Sequence, residues 1–85
     1  MAYHVYIIES LKDGTYYVGS TQNLTERIER HNQGRSKYTK TKRPWKLRYS
    51  EKHPDRSSAS IRENEIKSRK SKSYIETLVR ASRLA

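Results

Sequence analysis

Apolar side chains recur along this chain with two different periods. The run YHVYIIE, residues 3 to 9, is dense in β-branched and aromatic residues, and after SLKDG a second run, TYYVGS, repeats that character. Two such runs around Asp13-Gly14 predict a β-hairpin, because Asp-Gly accepts the positive φ angles of a tight turn. With Asp13 and Gly14 as the turn residues, Ile8 stands opposite Gly19 and Tyr6 opposite Thr21. Alternation of side chains then places Tyr6, Ile8, Tyr17 and Gly19 on one face and Val5, Ile7, Tyr16 and Val18 on the other. A glycine inside a strand packs nothing and costs backbone entropy, so Gly19 marks a place of close approach.

The period changes after Thr21. In QNLTERIERHNQG, Asn23 followed by Glu26 makes a capping box and Gly34 a stop, which predicts a helix from Leu24 to Asn32. Its stripe is Leu24, Arg27, Ile28 and His31. Half of that inward face is polar, and an unpaired buried charge is expensive. Arg27 therefore needs an anionic partner, a neighbouring acid, or a route back to water. Trp45, Leu47 and Tyr49 alternate with Lys46 and Arg48 as a third strand. After HPDRSS, a helix from about Ser58 to Arg69 turns Ala59, Arg62, Glu63 and Ile66 inward, with Glu65 two positions round. Ser73 with Glu76 suggests a cap for a last helix that packs through Tyr74, Ile75, Leu78 and Val79. The pattern predicts an α+β fold: a small three-stranded antiparallel sheet with flanking helices, in the order β-β-α-β-α-α. It reads as a single domain over residues 1–85 with its core at about 3–79, and no internal repeat is visible.

Composition sharpens this picture. A chain of 85 residues buries only about 60–65% of its unfolded surface. Its core is thin, and with seven Tyr, one Trp and no Phe nearly every ring there carries a polar atom that needs a partner. Nineteen Lys and Arg against nine Asp and Glu give a net charge of +10, which points to a polyanionic partner. The basic residues thicken between residues 35 and 52, where Arg35, Lys37, Lys40, Lys42 and Arg43 interleave with Tyr38 and Trp45 while Glu51 is the one acid. That interleaving favours nucleic acid over a membrane surface, since no stretch joins a broad apolar face to a continuous basic one. The absence of cysteine excludes disulfides, thiolate zinc sites and cysteine nucleophiles. His4, His31 and His53 lack metal-ligand spacing. No leader pattern or membrane-length apolar run is present, so a cytoplasmic location is expected.

The inward positions combine two tyrosines, an arginine, a histidine and a carboxylate. Phosphodiester hydrolysis uses those types: a cation for charge developing on phosphate, a base for water, and a carboxylate for a magnesium ion. A tyrosine is a poor base unless cations depress its pKa. VYI at 5–7, YVG at 17–19, the NLTERIERH helix and AxxxExxIK at 59–67 together resemble the GIY-YIG nuclease superfamily, over residues 3 to about 79. The chain looks most like the small stand-alone bacterial members, and its motifs are similar to the catalytic domains of excision-repair nucleases and homing endonucleases. The resemblance implies a metal-dependent endonuclease acting on DNA phosphodiesters, at branched, flapped or damaged structures in repair or recombination. Tyr6 and Tyr17 would be the motif tyrosines, with Tyr6 the general base; Arg27 would stabilise the scissile phosphate; Glu63 would hold magnesium, or manganese in its place. His31 would assist proton transfer or bind phosphate, with Tyr38 and Lys40 as alternatives. Gly19 would then be crowded by the DNA backbone and Arg27, while Arg35, Lys37, Tyr38, Lys40, Lys42 and Arg43 would form the nucleic-acid-binding surface.

The sequence departs from the family pattern at His4, where the family name has glycine, and at Val18, where it has isoleucine. Family enzymes that find specific sites carry separate DNA-targeting domains, so this chain is expected to bind electrostatically, with DNA favoured over RNA and a protein partner supplying any targeting. The alternative expectation is a catalytically weak nucleic-acid-binding module that acts with such a partner.

Overall fold

The computed structural model describes residues 2–82. Tyr3–Ser10 (β1), Tyr16–Thr21 (β2) and Trp45–His53 (β3) form an antiparallel sheet in the order β2-β1-β3. Helices Leu24–Asn32 (α1), Arg56–Ser68 (α2) and Lys72–Ser82 (α3) flank it, in the order the pattern predicts. As the middle strand, β1 is buried continuously from Val5 to Ile8, which is why its sequence reads as an unbroken apolar run. Its alternate residues serve two small cores. Tyr6, Ile8 and Trp45 pack with Tyr17, Leu24, Ile28 and Leu47 beneath α1. Val5, Ile7 and Val18 pack with Ala59 and Ile66 of α2 and with Tyr74, Ile75, Leu78 and Val79 of α3.

The hairpin register differs from the sequence expectation. Tyr6 stands opposite Gly19 and Ile8 opposite Tyr17, because the connection is longer than two residues. The Ser10 hydroxyl accepts from the amides of Lys12 and Asp13, and the Ser10 amide donates to Thr15 O at 2.8 Å. Those bonds close the loop around Leu11–Gly14. The slip is two residues, and side chains alternate with period two, so every residue keeps its predicted face.

A bulge corrects the third strand. Ile7 pairs with Tyr49 but Ile8 with Leu47, leaving Arg48 as the extra residue. Trp45 and Leu47 therefore share the α1 face, while Tyr49 crosses to the α2–α3 core. The helix starts also move. In α2, Asp55 is the cap, its carboxylate accepting from Ser58 N at 2.8 Å, and α3 begins at Lys72, with Ser71 rather than Ser73 accepting from Tyr74 N at 3.2 Å. The α1 cap at Asn23 holds, but the Asn23 amide donates to Thr21 Oγ1 instead of to Glu26.

Candidate active site

The helix α1 brings Arg27 and His31 onto the sheet, and both of its ends are fixed. Asn23 Oδ1 accepts from the Glu26 amide at 3.0 Å, and Gly34, at φ +78°, closes the C-terminus in the left-handed conformation that glycine adopts without penalty. Asn32 forms a reciprocal pair with the backbone of Trp45: Oδ1 accepts from Trp45 N at 2.6 Å and Nδ2 donates to Trp45 O at 3.1 Å. This clamp ties the end of α1 to the start of β3 and turns His31 toward β1, where it is buried.

There His31 joins a chain of polar groups. Its Nε2 lies 3.0 Å from the Tyr6 hydroxyl and its Nδ1 2.7 Å from Thr39 Oγ1. Thr39 is fully buried, and its carbonyl accepts from Trp45 Nε1 at 2.9 Å. Burial raises the Tyr6 pKa and the neighbouring Tyr17 adds to the rise, while the Arg27 guanidinium pulls the other way. Burial, with Arg27 second, holds His31 below its ordinary value. Near neutral pH the phenol is thus protonated and the imidazole uncharged. The assignment that satisfies both ring nitrogens has Tyr6 O–H donating to Nε2 and Nδ1–H donating to Thr39.

The space beside Gly19 is filled by Tyr6. A Cβ at Gly19 would lie 2.6 Å from the Tyr6 hydroxyl oxygen and 2.7 Å from its Cζ. Where DNA backbone and Arg27 were expected beside this glycine, the structure has the phenol, directly across the strand pair, and that ring requires a bare backbone. Tyr17, two residues before Gly19, is half-buried, with its ring edge-on to His31 at 5.1 Å between centroids and 5.7 Å from the ring of Tyr38.

Arg27 sits where two cavities adjoin. One, of about 620 Å³, is lined by Tyr17, Arg30, His31 and Arg35; the other, of about 450 Å³, by Tyr3, Ser20, Arg56 and Glu63. No carboxylate among the described residues pairs with Arg27. Glu63 is mostly buried: its Oε1 accepts from Ser20 Oγ at 2.7 Å and its Oε2 from Lys67 Nζ at 2.6 Å. Ser20 follows Gly19, so the carboxylate is anchored next to the glycine. Glu65, by contrast, is engaged by Arg62, which also pairs with Glu51 on the far side of α2.

The structure thus gathers Tyr17, Arg27, His31 and Glu63 around the two adjoining cavities, with Tyr6 buried behind them and bonded to His31. Of the three groups considered for assisting Tyr6, His31 is the one bonded to its hydroxyl. Tyr38 is exposed and its ring lies tilted against Tyr17, and Lys40 is exposed, with its carbonyl accepting from Arg43 Nε. The basic loop is divided. Arg35 lines the Arg27–His31 cavity and Lys37 is exposed, but Lys42 holds Asp13 and Thr15 of the hairpin turn, and the Arg43 guanidinium lies over Gly34. Both are occupied in shaping the loop. Sequence reasoning missed Thr39 of the loop, Asn32 at the end of α1 and Ser20 in β2, polar residues with no periodicity to distinguish them. The one hint was that a buried imidazole needs a partner on each nitrogen.

Comparison with known proteins agrees with this fold. The family model of the GIY-YIG catalytic domain matches residues 2–76. UPF0213 protein SH2523 of Staphylococcus haemolyticus is 47% identical over 68 residues, covering 79% of this chain and 83% of its own. UPF0213 protein DP2720 of Desulfotalea psychrophila is 45% identical over 83 residues, covering 95% of this chain and 74% of its own. The solution NMR structure of UPF0213 protein BH0048 from Bacillus halodurans superposes with a TM-score of 0.60 at 35% identity, covering 95% of this chain and 85% of that one.

Proposed function

The chain belongs to the GIY-YIG catalytic-domain family, and from that premise we propose that it is a metal-dependent endonuclease hydrolysing DNA phosphodiester bonds. The observation that carries this reading is Arg27, a half-buried guanidinium with no carboxylate partner among the described residues, set between the Tyr6–His31–Thr39 chain and Glu63. A phosphate lodged there would supply the anion that Arg27 lacks and would meet a cation aimed at its developing charge.

The residues present fit a magnesium or manganese ion. Among the described residues no three His, Cys, Asp or Glu side chains cluster as a metal cage. A single carboxylate is sufficient for magnesium, which keeps most of its waters and binds substrate phosphate. Glu63 would hold it, with the Ser20 and Ser60 hydroxyls lining the same cavity. Bound there, the ion would polarise a phosphate oxygen.

Proton transfer can be written on this chain's own residues. A free Tyr6 phenolate is disfavoured by burial, so Tyr6 would take a proton from the attacking water while passing its own to His31 Nε2. The imidazolium that forms keeps its Nδ1–H on Thr39 Oγ1. Neither step requires Tyr6 to carry a full charge, which removes the objection that its pKa is too high for a base. The polyanion-binding charge of +10, the exposed Arg35 and Lys37, and the absence among described residues of a helix able to cross a membrane suit a nuclease working on cytoplasmic DNA, with a partner for targeting and a place in repair or recombination.

The test uses flapped, nicked and intact DNA oligonucleotides, beside RNA of the same sequence, in magnesium or EDTA. Cleavage of DNA only with metal, lost in Arg27→Ala while DNA binding remains, is the expected result. Binding without cleavage of any substrate would replace this reading with that of a nucleic-acid-binding module.

A further inference from the structure

A further cavity lies outside the arrangement just described. About 710 Å³ in volume, it wraps the outer edge of β2, reaching both Tyr16 and Tyr17, which point to opposite faces of the sheet. Its floor is apolar, formed by Val18, Ile66 and Ile75. Tyr38, 62% exposed, closes one side, its ring tilted by 37° against that of Tyr17. Lys67, Lys70 and Lys72 line the other side, with Lys67 Nζ 5.9 Å from the Tyr17 ring centre and Lys72 Nζ 5.9 Å from that of Tyr16. The one acid in the lining, Asp13, is paired with Lys42. The groove is also continuous with the site, since Tyr17 lines both cavities and Lys67 bonds Glu63.

We propose that this groove is a subsite for an unpaired DNA strand flanking the scissile phosphate, with bases stacked on Tyr16, Tyr17 and Tyr38 and phosphates held by Lys70 and Lys72. Rings interleaved with cations along an apolar floor are the chemistry that binds single strands with little regard to sequence. In a duplex the ring faces of the bases are covered by the neighbouring base pairs and cannot use such rings. A neutral peptide strand could add to the edge of β2, but Lys70 and Lys72, neither in an ion pair among the described residues, and the lack of an unpaired acid in the lining favour a polyanion. Lys70 adds a backbone signal: at φ +48° it occupies the left-handed conformation that glycine adopts more readily, and it presents an ammonium at the junction of α2 and α3. The proposal rests on the nuclease reading and refines it, making the preferred substrate a DNA whose cleavage point adjoins a single-stranded segment.

The test is fluorescence anisotropy of the full chain, in EDTA so that no cleavage occurs. The probes are a blunt DNA duplex, the same duplex with a short thymine overhang, and one whose overhang is abasic. The overhang is expected to tighten binding about tenfold, the modest end of what stacking one base supplies, and the abasic overhang to forfeit most of that gain. Lys70→Gly combined with Lys72→Ala keeps the turn and removes two charges, and should flatten the plot of log K against log salt on the overhang duplex by about 1.4. Lys46→Ala with Lys52→Ala, exposed on β3 at the opposite edge of the sheet, removes the same charge and should leave the overhang gain intact. Blunt-duplex binding with no overhang gain, or equal loss of that gain in the two double variants, would overturn the groove alone. Failure to bind any of the three DNAs would overturn the groove and the nuclease reading together.

Discussion

Replacing Gly19 with alanine asks which group occupies the space beside it. The backbone there lies outside the left-handed region, so alanine meets no conformational strain. By itself the exchange would stabilise by about 0.4–1 kcal/mol through the unfolded chain. Against that, the new Cβ would lie 2.6 Å, 2.7 Å and 3.1 Å from three atoms of the Tyr6 ring. The ring cannot withdraw: Tyr6 is 1% exposed, packs with Ile8 and Trp45, and is tied through its hydroxyl to His31. Overpacking of this kind costs about 1–3 kcal/mol, leaving a net loss of roughly 1–2 kcal/mol. In a domain of this size that lowers Tm by about 5–15 °C. Thermal and urea denaturation of Gly19→Ala, Tyr6→Leu and the double variant form the assay. If the ring is the obstacle, the alanine penalty shrinks or changes sign once Tyr6 is leucine, a coupling of at least about 0.5 kcal/mol. An unchanged Tm, or the same loss in both backgrounds, would refute the reasoning and return Gly19 to the role of a surface kept bare for substrate.

Three further outcomes follow from the site. Thr39→Val keeps the shape of the side chain but strands the His31 Nδ1–H in a buried position; a loss of about 1–3 kcal/mol in urea denaturation is expected, with an altered His31 tautomer balance in nitrogen NMR. Because the folded His31 pKa lies below its unfolded value, the unfolded state takes up protons first on acidification. Its stabilising contribution is therefore intact above about pH 6.5, declines as pH falls from there toward the folded value, and the decline should be absent in His31→Gln when stability is followed from pH 7.5 to pH 5. Asn23→Ala removes the acceptor for the Glu26 amide and should cost about 1 kcal/mol, read as a lower Tm, with the fold otherwise unchanged by circular dichroism.

Much of this architecture could be read from the chain because its signals are local. The α1 boundaries follow from Asn23 and Gly34, and the faces of β1 and β2 follow from alternation alone, which is why a two-residue error in register left Tyr6, Tyr17 and Gly19 together. Tyr49 was misplaced because a bulge at Arg48 breaks alternation without a sequence mark. The two α2 carboxylates were separable by helical position: Glu63 turns toward Ser20 and Glu65 toward Arg62. Thr39 was invisible for the opposite reason. Its importance comes from contacts with His31 and Trp45, the first eight positions away along the chain and neither set by any local period. Lys42 and Arg43 show the same limit, since a basic run looks alike whether its cations await phosphate or brace a loop.

Whether Glu63 supports metal-dependent cleavage is read from supercoiled plasmid incubated with the purified protein and magnesium, beside Glu63→Gln. Glu63 touches only Ser20 and Lys67 among the hydrogen-bond partners described, so the isosteric amide preserves the fold while removing the charge that would hold the ion. Nicking by the native chain that requires metal and disappears in Glu63→Gln is the predicted result. No nicking with magnesium or manganese, or equal nicking by both proteins, would contradict it.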